Sequence, residues 1–286
     1  MSSSTLSVAM AVLRRVMIQT FKNPAIIIPS LAFPLVFLIA FAGGLSTVAS
    51  VPGFSFKGGY TAFQFVFVFL QTGAFAGIFT GYRIAEDYES GFARRLLIAA
   101  PHSRGIVLGF VLSGLARFAL TGVILWVIAL LAGMTVLGSP IEILAMWLLA
   151  ALLCIASTLW VTGLAFRFQS VDIGSFMQTP VFVLLFLAPV YVPLALLTGW
   201  LKIAASANPI TAILDASRGF ISGEPAKVAL AFALALGLAA LMGLWAGLQL
   251  RRAQRGVAEP ARPRSRTAPG TTRARRLNRA LGTTHA

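Results

Sequence analysis

The sequence predicts an all-α, polytopic membrane protein, and three observations carry that prediction. Of its 286 residues 58% are hydrophobic and only 11% charged, with a mean hydropathy of +0.88. A soluble domain carries about 25% charged residues. Six apolar segments, at 25–45, 60–82, 106–136, 141–166, 174–198 and 228–250, reach the length that a helix needs to cross a bilayer. The cations are also unevenly placed. With the N-terminus inside, Arg14, Arg15, Lys22, Arg83, Arg94, Arg95, Arg104, Arg167, Arg251, Arg252 and Arg255 share the inner face, and Lys57, Lys202, Arg218 and Lys227 the outer one. Both termini are therefore expected in the cytoplasm. Three parts follow: an N-terminal amphipathic helix over 1–24, a six-helix membrane domain over 25–250 and a basic tail over 251–286.

Within the first part, Leu6, Met10, Leu13, Met17 and Phe21 recur at steps of three and four, and Arg14, Arg15 and Lys22 lie off that stripe. The spacing predicts a helix lying in the cytoplasmic interface, or a plain lead-in to the first span. That span contains Pro29 and Pro34 and is full length, and no small-residue cleavage site follows it cleanly. It reads as a retained helix and not as a signal peptide. The third span exceeds a crossing and includes Arg117. Either the residues before Arg117 are a helical approach, with the guanidinium snorkelling to headgroups, or Arg117 is a functional intramembrane cation. Pro180, Pro189 and Pro193 bend or interrupt the fifth span.

Residues 199–226 are too polar to span and too apolar for a free loop. Ile210, Ile213, Leu214, Ser217 and Phe220 follow helical spacing, Asn208-Pro209 reads as a cap with a first-turn proline, and Gly223 as a stop. A short helix dipping into the outer leaflet is expected. The tail holds ten Arg and one Glu, so +9 of the formal +15 lies there, with nothing to build a core. It suits anionic membrane lipids or simply fixes topology. No nucleic-acid partner is implied.

The chemistry that is missing narrows the function. None of the eight acidic residues falls in the middle of a predicted span, whereas ion-coupled carriers need an intramembrane carboxylate relay. Two histidines and the single Cys154 form no metal-ligand cluster, and no catalytic constellation is visible. No Gly-Lys dipeptide occurs, so a phosphate-cradling loop is absent. Nucleotide energy, if used, comes from another chain.

The densely charged segment 86–104 sits between the second and third spans. Glu86, Asp87 and Glu89 would occupy the first turn of a short helix and Arg94 and Arg95 its later turns, a favourable order for the macrodipole. Pro101 ends it, Ser103 can cap the next helix, and Tyr88, Phe92, Leu96 and Ala99 form one exposed stripe. Such a helix fills a groove on a cytoplasmic partner, or the segment is a surface loop on lipid.

The string E-S-G-F-A-R-R-L-L-I-A-A-P-H-S-R is similar to the E-x-G-x-x-x-R-L-L-x-x-P-x-x-R pattern of ABC type-2 transporter permeases. It matches at Glu89, Gly91, Arg95, Leu96, Leu97, Pro101 and Arg104. Three residues separate Leu97 from Pro101 where the pattern has two, and Arg94 replaces a common acidic residue. N-P-I-T-A-I-L-D-A-S-R-G-F-I-S-G resembles the segment between spans five and six of those permeases, through Asn208, Pro209, Arg218 and Gly223. The daunorubicin-resistance type is the subgroup resembled.

The resemblance implies a bacterial inner-membrane export permease. Two such subunits, identical or different, form the pathway above two copies of a separate ABC ATPase, which binds the ATP and Mg; this chain binds no cofactor itself. Glu89, Gly91, Phe92, Arg94, Arg95, Leu96, Leu97 and Pro101 would belong to the coupling helix. Asn208, Pro209, Asp215, Arg218 and Gly223 would belong to re-entrant helices near the outer exit. Hydrophobic drugs (hence antibiotic resistance), lipids and polysaccharides are the substrates implied. A membrane scaffold that docks a cytoplasmic protein without moving solute is the rival reading, and a membrane enzyme the weakest.

Overall fold

The computed structural model describes residues 3–22, 24–44, 54, 56–99 and 104–258. Among them the regular structure is helical: α1 Ser3–Lys22, α2 Pro24–Gly44, α3 Gly59–Glu89, α4 Phe92–Ala99, α5 Arg104–Leu131, α6 Pro140–Phe168, α7 Gly174–Phe186, α8 Gly199–Ala207, α9 Pro209–Ser222 and α10 Val228–Ala258. Two short 3-10 turns flank α7, at Val171–Ile173 and Leu194–Leu196. Four helices of the described residues are long and apolar enough to cross a membrane: α3, α5, α6 and α10 up to Arg255. α2 adds 21 residues without a charge and stays helical through Pro29 and Pro34.

The expected fifth span is not one helix. α7 stops after 13 residues, with Pro180 inside it, and the chain from 187 to 198 holds only a 3-10 turn before α8. Pro189 and Pro193 remove the donors that a continuing helix needs. Other ends move too. α3 runs seven residues past the predicted 82, and α10 eight past the predicted 250, because Arg83–Glu89 and Arg251–Ala258 are good helix formers whatever their polarity.

α3 is the axis of the bundle. Of the residues in its most apolar stretch 94% are buried, against 11% for α10 on the periphery. Phe63, Phe65, Phe67 and Phe69 are all enclosed. Phe69 meets Trp147 edge-on at 4.7 Å between centroids and Trp126 at 5.8 Å. On another side Phe33 and Phe182 close on Phe75 at 5.2 and 4.9 Å.

α3 lies against α6 through Gly73, Gly77 and Gly81, one residue per turn on one face. A Cβ at Gly73 would stand 2.6 Å from the Ala150 carbonyl oxygen, and one at Gly77 2.6 Å from the Thr158 backbone nitrogen. Lipid tails are as apolar as leucine, so such close backbone approach, and not water exclusion, holds helices together in a bilayer. The hydroxyls between them bond back to their own helices: Thr80 to the Ala76 carbonyl at 2.9 Å and Thr158 to the Cys154 carbonyl at 2.7 Å. Outward, Leu144, Leu148, Leu241, Leu244 and Leu248 are exposed, a surface suited to hydrocarbon.

α1 runs parallel to the first half of α5. Thr5 and Val8 sit beside Gly105, Ala9 and Val12 beside Gly109, and Thr20 beside Arg117. Its packed stripe is Ala9, Val12, Val16 and Thr20, whereas Leu6 and Met10 of the predicted stripe face outward. The helix is apolar on two sides, and glycines on α5 decided which one packs.

Candidate functional site

Polar side chains concentrate at the two ends of α3, about 45 Å apart for a 31-residue helix. The first cluster lies where α1, α3, α4 and the α6–α7 connection meet. The sequence places Glu86, Asp87 and Glu89 there, but not in the first turn of a short helix as expected. They are the last residues of α3, where the macrodipole disfavours them. Three sets of groups compensate, two of them from outside α3. Arg15 of α1 donates from Nη1 to Asp87 Oδ2 at 2.6 Å and from Nη2 to Oδ1 at 2.7 Å, a bidentate fork. Arg83 donates to Glu86 at 2.5 Å and to Gln19 of α1 at 2.9 Å. Glu89 Oε1 accepts the Val171 backbone N–H at 2.8 Å and the Ser170 hydroxyl at 3.1 Å.

Gly91 then turns the chain. Its φ of +71° is left-handed, and its N–H reaches the Tyr88 carbonyl at 3.0 Å, so α3 ends and α4 starts in a new direction. The stripe expected to be exposed turns inward instead. Tyr88 is buried, 6.0 Å edge-on to Phe166, and Phe92 and Leu96 are half-buried. The Arg15 guanidinium rests 3.7 Å above the Phe92 ring. What α4 presents outward is Arg95 and Ile98, with Ile98 72% exposed, while Leu97 is half-buried. Arg94 is helical, its side chain outside the described residues, and Pro101 and Ser103 also lie outside them.

The second cluster, at the far end of α3, is built on α9. Asn208 caps that helix, accepting the Ile210 N–H at 3.0 Å and donating to the Leu184 carbonyl at 2.5 Å. Pro209 is its first residue, and Gly223, at φ +72°, ends it. Arg218 is 4% exposed yet fully engaged. Nη1 donates to the Pro189 carbonyl at 2.7 Å, Nη2 to Val190 at 2.9 Å and Nε to Phe63 at 3.4 Å, with the guanidinium 3.4 Å over the Phe63 ring. It therefore satisfies carbonyls that the proline-broken chain after α7 leaves without helical partners. Gln64 joins in, donating to Val190 at 3.2 Å. Asp215 lies one turn before Arg218, half-buried. The loop before α6 docks here too, since Leu137 and Gly138 N–H groups reach the Ile221 carbonyl at 3.0 and 3.2 Å. Lys57 pairs with Glu224 at 2.5 Å across the rim.

Arg117 belongs to neither end. It is 2% exposed at mid-length of α5, and Nη2 donates to Thr20 at 3.1 Å. Nε and Nη1 have no partner among the described residues. The guanidinium thus packs inside the bundle, between α5 and α1. Near mid-bundle an apolar cavity of ≈ 190 Å³ opens between α3, α6, α7, α9 and α10, lined by Ala74, Trp160, Pro180, Leu184, Ile210 and Met242. No group of three or more His, Cys, Asp or Glu that could hold a metal occurs among the described residues.

The helical bundle, with apolar flanks and several helices long and apolar enough to cross a bilayer, is that of a multi-pass membrane protein. Residues 8–221 match the ABC-2 type transporter family, and the chain belongs to that family of transport permeases. It is similar to the protein described as "Putative transport permease ycf38" from Pyropia yezoensis, 25% identical over 221 residues, covering 76% of this chain and 75% of that one. The protein of the same description from Porphyra purpurea is 27% identical over 210 residues, covering 73% and 72%. No solved structure gives a significant match. Family membership brings in an ABC ATPase as the general partner, and the permease chain of such a system is generally the non-catalytic one.

Proposed function

We propose that this chain is the permease half of an ATP-driven exporter and that α4 receives the push of a separate ATPase. The observation that carries this reading is the Arg15 clamp. One guanidinium forks onto Asp87 at the end of α3 and covers Phe92 of α4, on a helix whose other face is seated on α5. Force applied to the outward residues Arg95 and Ile98 thereby reaches two long helices at once. Glu89 carries the same displacement to the turn before α7. Bridging α3, α9 and the broken end of α7, the Arg218 cluster would then shift at the opposite face.

In this reading the Arg15 end is cytoplasmic, six segments cross with both termini inside, and α7 to α9 form the interrupted fifth span and its re-entrant return. Two permease chains, the same or different, form the path above two ATPase copies that bind the ATP and Mg. The substrate class is a hydrophobic or amphiphilic drug or lipid. Support comes from the ≈ 190 Å³ cavity and its apolar lining, where a polysaccharide would find few hydrogen-bond partners. The setting is a cell membrane of bacterial inner-membrane type.

Co-expression with a candidate ATPase tests the docking step. Ile98→Glu, which leaves the interior of the bundle untouched, should cut copurification of the ATPase at least tenfold. Full association by this variant, with ATP hydrolysis but no solute movement in vesicles by the parent complex, would favour a scaffold.

A further inference from the structure

A groove of ≈ 490 Å³ runs between α5 and α10, with Leu159 of α6 also lining it. Its walls change character along their length. Arg104, the first residue of α5, and Arg251 of α10 stand at one end, and Val107 and Val111 with Gly243 and Gly247 line the rest. Val111 lies about 10 Å beyond Arg104, and Gly243 about 12 Å beyond Arg251. The glycines keep this channel open. A Cβ at Gly247 would meet nothing within 4 Å, and one at Gly243 would meet only Leu159 Cδ1 at 3.8 Å. Glycine here relieves no crowding in the chain, so the space beside it is available to something else.

Both arginines are exposed and have no carboxylate within ion-pair reach among the described residues. The acids of the described chain are committed elsewhere. Asp87 and Glu86 hold Arg15 and Arg83, Glu224 holds Lys57, the Glu89 and Asp172 carboxylates accept from the Ser170 hydroxyl, and Glu142 closes the capping box at Ser139. Asp215 is at the other end, on α9. Among the described residues no acid is left to neutralise Arg104 and Arg251. A pair of cations at one end of an apolar slot is complementary to an amphiphile with a negative head and a hydrocarbon tail.

We infer that this groove is a binding site for one anionic phospholipid of the leaflet at the arginine-rich end, its phosphate between Arg104 and Arg251 and an acyl chain along Gly247 and Gly243. The site shares no lining residue with the central cavity, and it stands whether or not the chain exports anything. A resident lipid would brace α10, the least embedded of the long helices, against α5.

The test titrates the detergent-solubilised full chain with phosphatidylglycerol and with phosphatidylcholine carrying the same fluorescent acyl chain. The parent protein should prefer phosphatidylglycerol. R104Q/R251Q should weaken it about 30-fold, the loss of two headgroup-facing charges, and leave phosphatidylcholine unchanged. R252Q/R255Q removes the same net charge and should keep the preference. Gly247→Leu fills the slot with both arginines in place and should also weaken phosphatidylglycerol; Gly247→Ala is the milder substitution if the leucine variant melts early. Equal losses for the two arginine pairs would replace the groove with diffuse attraction. Displacement by millimolar inorganic phosphate would make it a bare anion site, and a change in oligomeric mass on Gly247→Leu would make it a subunit interface. Either result overturns the lipid assignment, as does an unaltered titration.

Discussion

Arg15 and Arg218 are each held at several points, and the account rests on both. Removing one partner of an enclosed charge pair leaves the other uncompensated, which costs about 3–5 kcal/mol when burial is complete and less when one partner is wetted. Arg15 is 29% exposed and Asp87 8%, so Asp87→Asn should lose about 2 kcal/mol. Differential scanning of the detergent-solubilised protein would read this as a lowered melting point. Arg15→Lys should fall nearly as far, because a lysine cannot form the two-pronged contact or lie flat on Phe92. For Arg218, Met substitution strands the Pro189 and Val190 carbonyls, each costing about 1–3 kcal/mol. The same melt should show a larger drop than for Asp87→Asn. Gly91→Ala tests the turn. The site is open but φ is +71°, so about 1 kcal/mol is expected for Ala and less for Asn, which tolerates that region.

At the scale of elements, the α3–α6 seam is the least forgiving part of the molecule. A side chain at Gly77 meets Ser157 and the Thr158 backbone, and backbone cannot step aside. Gly77→Leu should abolish membrane-inserted yield, whereas Gly237→Leu, with nothing within 4 Å, should express normally. Comparing the two by fluorescence-detected size exclusion checks this.

The same elements show what a sequence reader can and cannot see. Period and length located α3, α5, α6 and α10, and the Asn208-Pro209 start and Gly223 stop of α9 were readable because caps are local chemistry. The Gly73–Gly77–Gly81 spacing is also present in the sequence, but hydropathy alone does not register it. By contrast, Arg15 and Asp87 are 72 residues apart, and no local signal joins them. Charge order at the segment after α3 pointed to a helix beginning at Glu86, but the helix already under way simply continued to Glu89 and used partners from α1 and Ser170. The burial of Arg117 likewise depends on α1 lying alongside, a contact 97 residues away in sequence.

Over the whole molecule, α3 carries contacts of both polar clusters, with Phe63 under Arg218 at one end and Asp87 against Arg15 at the other. A rigid, enclosed helix of that kind conveys displacement better than it absorbs it. The proposal needs α4 to be joined stiffly to α3, and the joint is Gly91. Proline fixes φ near −65°, incompatible with +71°, so Gly91→Pro would uncouple α4 from α3 and leave the membrane helices in place. The decisive measurement is ATP-dependent movement of a fluorescent lipid or drug in vesicles holding this chain and its ATPase, parent against Gly91→Pro. The account predicts that transport falls at least tenfold while the variant still inserts and melts as a folded protein. Undiminished transport, with the ATPase still bound, would contradict it.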